Sequence, residues 1–141
     1  MSSKFAALCS GTAGASKTFG VINSTSVARA WIYDLTIGSD STPGDFAGSF
    51  VVQRHTASGS ATSVTPQALD GANPASVMTA GTTNTTEPTY TAGAVLLQFG
   101  LNQRATYRWV AAPGGELVIP AVAASASGLG LRNLAHGSTP T

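Results

Sequence analysis

Along residues 31–37, "WIYDLTI", Trp31, Tyr33, Leu35 and Ile37 alternate with Ile32, Asp34 and Thr36. That period of two predicts a strand with one face on a core. It returns in "FAGSFVVQR" (46–54), with Phe46, Phe50 and Val52 on one side and Val51, Gln53 and His55 on the other. In "AVLLQFGLNQ" (94–103), Val95, Leu97, Phe99 and Leu101 share a face. The stretch "ATYRWVAAPGGELVIPA" (105–121) predicts a hairpin with a tight apex. Tyr107, Trp109 and Ala111 alternate with Thr106, Arg108 and Val110, "PGG" (113–115) makes the turn, and Leu117 and Ile119 resume the pattern. "GLGLRNL" (128–134) offers Leu129 and Leu131 as one more short strand.

Between these segments lie turn formers. In "GSDSTPGD" (38–45), Pro43-Gly44 suits the centre of a type II turn, where Gly accepts positive φ. "HTASGSATSVTP" (55–66) has no apolar period and contains Gly59, which predicts a hairpin tip or surface loop and places His55 where a strand meets a turn. Residues 66–92 carry Pro66, Pro74 and Pro88 and predict a long excursion with a single helical turn near "PASVM" (74–78). It is too long for a structureless connection in a compact domain, so it packs on something or carries contacts. The expected fold is all-β, a jelly-roll-like β-sandwich of about 7–8 short strands. An immunoglobulin-like topology fits the same pattern, which leaves strand order open. Residues 1–20 form an N-terminal arm or edge strand, 21–134 the sandwich, and 135–141 a flexible tail.

Composition sharpens this. A chain of 141 residues fits one domain and buries roughly 70% of its unfolded surface. Charged residues make up 9%, against about 25% in ordinary soluble domains. With 43% hydrophobic residues and a net charge of +1, the chain is expected to fold and not to be disordered. So few charges leave a surface poorly protected against association, which points to a life among partners. Arg29, Arg54, Arg104, Arg108 and Arg132 are scattered, so no phosphate-binding cluster forms and nucleic acid is not expected. No apolar run approaches the eighteen or so residues of a membrane helix. The start "MSSKFAALCSG" is too short for a secretory core of about 7–15 residues, and cleavage after it is not expected. Cys9 is the sole cysteine, so no intramolecular disulfide forms. The sequons at Asn23 and Asn84 are expected by chance in a chain this rich in Ser and Thr.

Candidate chemistry is thin. "GTAGASKT" (11–18) misses the phosphate-binding loop by one residue, Ser16 standing where a Gly belongs, and no helix pattern follows. Arg54 and His55 head a serine-rich run that leads to Asp70. The only other imidazole is His136, and no G-x-S-x-G elbow occurs. Asp34, Asp40, Asp45, Asp70, Glu87 and Glu116 mostly occupy turns, and no Cys or His pair has ligand spacing. Catalytic, cofactor-binding and metal residues are therefore all expected to be none. Trp31, Tyr33, Tyr107 and Trp109 are expected in one core in preference to a carbohydrate platform, with Arg104 and Arg108 facing outward.

The phrases "QRHTASG" (53–59), "VTPQALDGANPAS" (64–76), "LNQRATYRWVAAPGGELVIPA" (101–121) and "GLGL" (128–131) resemble a family of small proteins of tailed bacteriophages, the jelly-roll head decoration or cement proteins. The resemblance covers roughly residues 28–132. It implies a structural virion protein, not an enzyme, that sits on the outer surface of the capsid, contacts the major capsid protein and associates with itself as a homotrimer. Such a domain would end in a further well-formed strand after "GLGLR", where this chain has "NLAHGSTPT"; either the last strand is short, or a neighbouring subunit completes the sheet edge. The alternative is a receptor- or glycan-binding module of a tail or fibre, distinguished by an exposed Trp31 or Trp109.

Overall fold

The computed structural model describes residues 3–12, 14–40 and 42–136, with side chains through Leu134. The described residues contain no helix. The protein is an all-β sandwich of antiparallel strands. Among the described residues twelve strands occur, two of them long, where about 7–8 short ones were expected. They are β1 (Phe5–Ala6), β2 (Thr18–Asn23), β3 (Ala30–Ile32), β4 (Asp34–Ile37), β5 (Ala47–Ala57), β6 (Ser60–Val64), β7 (Gln67–Ala68), β8 (Thr79–Thr86), β9 (Thr89–Asn102), β10 (Tyr107–Val110), β11 (Leu117–Ile119) and β12 (Gly128–His136).

One layer is a six-stranded sheet in the order β6-β8-β2-β12-β5-β9. Its two long outer pairings form one continuous ribbon. β5 pairs with β9 as far as Ala57↔Thr89, and β6 pairs with β8 from Ser60↔Thr86, so Ser58-Gly59 and Glu87-Pro88 bend side by side. Three residue steps from Ala57 to Ser60 reach about 11 Å at most. Four strand spacings, from β5 to β6 across a flat sheet, would need about 19 Å. The sheet is therefore curled at this end. Gly59 makes the bend with φ 66°, a backbone state glycine adopts without penalty, and a Cβ there would strike the Thr86 and Glu87 backbone.

The second layer is a ribbon of two in-line pairs, β3 with β11 and β4 with β10. It presents Ala30, Ile32, Leu35, Leu117 and Ile119 to Val52, Leu129, Ile22, Leu97 and Leu131 of the sheet. Arg54 ties the layers, donating from Nη1 to the Val118 carbonyl at 3.1 Å. Replacing it with Met keeps the stem and removes the donor; about 1–2 kcal/mol of stability should be lost, read as a lowered chemical-denaturation midpoint.

Several expectations change. β10 and β11 do not form a hairpin: both pair with the β3–β4 segment, and residues 111–116 project between them, turning at Gly114 with φ 81° and closed by Gly115 N–H to the Ala112 carbonyl at 2.8 Å. Pro43-Gly44 does not make the expected type II turn, since Gly44 is not among the glycines with positive φ. The excursion 66–92 contains no helical turn; it holds β7, all of β8 and the start of β9. The stretch 1–20 is pinned at β1, paired with β7, and already enters the central sheet at Thr18. β12 is a nine-residue strand, flanked by β2 and β5, that runs to His136. Residues 137–141 of the expected tail lie outside the described residues.

Candidate functional site

His55 is not at a strand end. It sits within β5, paired with Gly128 on one side and Tyr90 on the other, and is 0% exposed. A polar cluster surrounds it, in which Thr18 and Gln53 are buried and Tyr90, Glu87 and Arg132 half-buried. The Tyr90 ring meets the imidazole edge-on at 6.4 Å, and the Arg132 guanidinium lies 4.5 Å above the Tyr90 ring centre. Thr18 gives both its backbone N–H (3.1 Å) and its hydroxyl (2.5 Å) to Glu87 Oε2, while the Tyr90 hydroxyl is 2.8 Å from the Thr18 hydroxyl. With the Thr18 proton committed to the carboxylate, Tyr90 is the donor in that last bond. Gln53 Nε2 donates to the Thr91 carbonyl at 2.8 Å, across a bulge in β9 where Gly93 adopts φ 72°.

Two glycines make room for this cluster. A Cβ on Gly130 would fall on the Tyr90 hydroxyl, and one on Gly128 would meet the His55 ring and the Ile22 carbonyl. In "GLGL", Leu129 and Leu131 therefore fill the layer interface while Gly128 and Gly130 lie beneath the two rings. Burial pushes the Tyr90 phenol up to about 12, with the Thr18 hydrogen bond acting the other way. Burial also lowers the His55 imidazole from its usual value, against a smaller opposing influence of the Ile22 carbonyl. Neither imidazole nitrogen makes a hydrogen bond of ordinary geometry. This arrangement holds Tyr90 as a fixed neutral donor and His55 as a neutral ring, both closed in by the bent ribbon.

The other sequence candidates fall apart in space. His136 ends β12, and its side chain lies outside the described residues. Asp70 accepts the Ala72 N–H at 3.0 Å within a surface turn. The loop-like run at 11–18 contains a turn at Ser16, φ 60°, and leads into β2, not a helix. Cys9 is partly buried against Gly20 and donates its S–H to the Gly81 carbonyl at 3.7 Å; burial raises its pKa. The side-chain amides of Asn23 and Asn84 are occupied, by Thr79 and by the Ser58 and Thr86 carbonyls. A concavity of about 220 Å³ beside the bend is lined by uncharged residues, among them Val21, Ser58, Ala61 and Ser63. No group of three metal-ligating side chains is gathered among the described residues, and none of their helices could cross a membrane, since they form none.

The four aromatics do not share one core. Trp31 is 54% and Tyr33 37% exposed, on the outer side of the β3–β4 segment, while Tyr107 stacks on Phe99 with ring centres 4.2 Å apart and Trp109 is half-buried. Alternation sends Ala30 and Ile32 inward and Trp31 outward; the break at Tyr33 then resets the phase so that Leu35 points in. Around Tyr33 the chain gathers further groups. The Lys4 ammonium stands 5.7 Å from the ring centre, the Lys4 carbonyl accepts the Leu69 N–H at 2.9 Å, and the Tyr33 carbonyl accepts the Ala111 N–H at 2.9 Å. Leu69 (61%) and Val110 (55%) are exposed beside these anchors. Next to them, Arg108 faces outward as expected and grips Asp34 through two hydrogen bonds, of 2.6 and 3.1 Å, which hold the Asp34 carboxyl below its usual pKa. The outer side of the β3–β4 segment thus carries exposed Trp31 and Tyr33, with the Lys4 ammonium over Tyr33 and the Arg108–Asp34 ion pair nearby. Compared with protein-family models, with curated proteins and with solved structures, the chain matches none.

Proposed function

We propose that this protein is a structural virion protein that binds the outside of a bacteriophage capsid and stabilises the shell. The observation that carries the reading is the exposure of large apolar side chains at Tyr33, Leu69 and Val110 beside Trp31, although the exposure of Trp31 taken alone is the feature expected of the glycan-binding alternative. Large aromatics held on a strand segment lose little conformational freedom when they dock, and such residues dominate the energetics of protein contacts. Thirteen charged side chains among 141 residues, 7 basic and 6 acidic, leave the rest of the surface equally suited to contact. The resemblance of "LNQRATYRWVAAPGGELVIPA" to decoration proteins of jelly-roll type supplies the virion setting and the major capsid protein as partner. Closed symmetry favours a homotrimer, which matches the threefold positions of an icosahedral lattice, and many weak contacts then sum by avidity.

The test is co-sedimentation with purified heads and tails, with copy number read from the bound fraction. Hundreds of copies per head support decoration; recovery with tails alone refutes it. Trp31→Ala should reduce shell binding at least tenfold, as expected of an interface anchor, while moving the melting temperature by only a few degrees. The exposed Trp31 also favours a second reading, a receptor- or glycan-binding module of a tail or fibre, in which an indole stacks on a sugar ring. Under that reading Trp31→Ala abolishes glycan binding and leaves association with heads unchanged.

A further inference from the structure

The curled sheet has two open edges, and among the described residues both lack charges, prolines and a covering strand, bulges being the one protective feature each carries. Residues 89–103, "TYTAGAVLLQFGLNQ", contain no charged residue and no proline, and β9 has no strand on its outer side among the described residues. Val95 and Leu96, neighbours that point to opposite faces, are 38% and 39% exposed, so β9 stands clear of the body there. A Cβ on Gly100 would find only the Gly48 carbonyl, at 4.0 Å. At the opposite end of the same sheet, β6 reads "SATSV"; it too is uncharged, and its first four residues are exposed. Edge strands of natural proteins are blunted by charges, prolines or covering segments because bare N–H and C=O groups recruit another strand.

We infer that these edges pair with each other between copies of this chain, β9 of one copy adding to β6 of the next. Neither strand brings a charge, so their approach meets no charge repulsion and desolvates no ion, and backbone hydrogen bonds supply the directional term. Symmetric pairing of β9 with a second β9 would leave β6 bare on both copies. Head-to-tail pairing consumes both open edges of the six-stranded sheet, and three copies close the ring without an end. A five-residue ladder is small beside the roughly 800 Å² per partner of a stable interface. Ring closure offsets this by holding each copy at two edges at once. The count of three rests on the proposed trimer; the edge pairing does not depend on shell binding.

The experiment uses the full chain and two variants, Val95→Lys/Leu96→Lys on β9 and Ser60→Lys/Thr62→Lys on β6, all at exposed positions. Sedimentation velocity gives their size and circular dichroism confirms that they fold. The wild type should form trimers and each variant alone should be monomeric. An equimolar mixture should restore a one-to-one heterodimer, because each variant retains the edge the other lacks. Self-association of the β6 variant, a mixture that remains monomeric, or a monomeric wild type would each overturn the inference. Shells decorated by monomers would refute edge pairing and leave the capsid reading intact. Trimers formed through these edges that ignore shells would do the opposite.

Discussion

Gly130→Ala should lower stability by about 2–4 kcal/mol. The added carbon falls on the Tyr90 hydroxyl and lies 3.0 Å from two further ring atoms. Forcing a ring out of a packed position costs about 1–3 kcal/mol. The displaced phenol would also break its bond to Thr18, worth about 1 kcal/mol, and disturb the carboxylate contact behind it. For a chain of this size each kcal/mol corresponds to roughly 3–5 °C in melting temperature, so calorimetry should find a fall of about 6–20 °C. Adding Tyr90→Phe removes the atom that clashes most. The double variant should then lose less than the sum of the two single changes. Full additivity would show that Gly130 matters for some reason other than the room it gives Tyr90.

Acid should weaken the protein through His55. The imidazole is 0% exposed, faces the Tyr90 ring edge and Gly128, and makes no hydrogen bond of ordinary geometry from either nitrogen, the Ile22 carbonyl exerting a smaller opposing influence. The charged groups around the cluster are Arg132, over the far side of Tyr90, and Glu87, whose Oε2 is already engaged by Thr18. Because burial lowers the folded pKa below 6.5, the unfolded chain binds more protons in the window between the two values. Stability is therefore full above about pH 6.5 and declines as pH falls towards the folded value, by at most about 1.4 kcal/mol per pH unit for one proton. Denaturation midpoints between pH 7 and 5 should trace this slope in the wild type and lie nearly flat in His55→Leu. The Asp34 carboxyl, lowered by its Arg108 hydrogen bond, titrates below 3.8 and contributes nothing in that range. An equal slope in His55→Leu would place the titrating group elsewhere.

Where a strand has one apolar face on the layer interface, its alternation was legible: Phe50 and Val52, Leu97, Leu117 and Ile119 all lie where the pattern puts them. Residues 79–86, "TAGTTNTT", were not, because β8 presents mostly threonine and buries only Ala80 and Gly81 to any depth, which leaves no apolar period to read. "PGG" announces a turn but carries nothing about which strands flank it, and so β10 and β11 were matched with each other when both belong to the β3–β4 segment. A period of two divides Trp31 and Tyr33 from Ile32 without saying which set faces the core; one irregular residue reversed the assignment. The polar cluster left almost no trace. Glu87 and Tyr90 are three residues apart, but Thr18, His55 and Arg132 are distant from them and from one another along the chain, and the one sequence sign of their meeting is the alternation of Gly with Leu in "GLGL".

By itself the sequence determined that this chain builds antiparallel strands with a small apolar core and an almost uncharged surface, because side-chain period and charge content are local properties carried by each residue. The tertiary structure alone decided that the sheet curls at Ser58-Gly59 and Glu87-Pro88, that His55 is sealed beneath Tyr90, that Trp31 faces outward and that β6 and β9 are left open. Each of these depends on which strands become neighbours, and neighbour choice is a competition among backbone edges that all offer the same hydrogen-bonding groups.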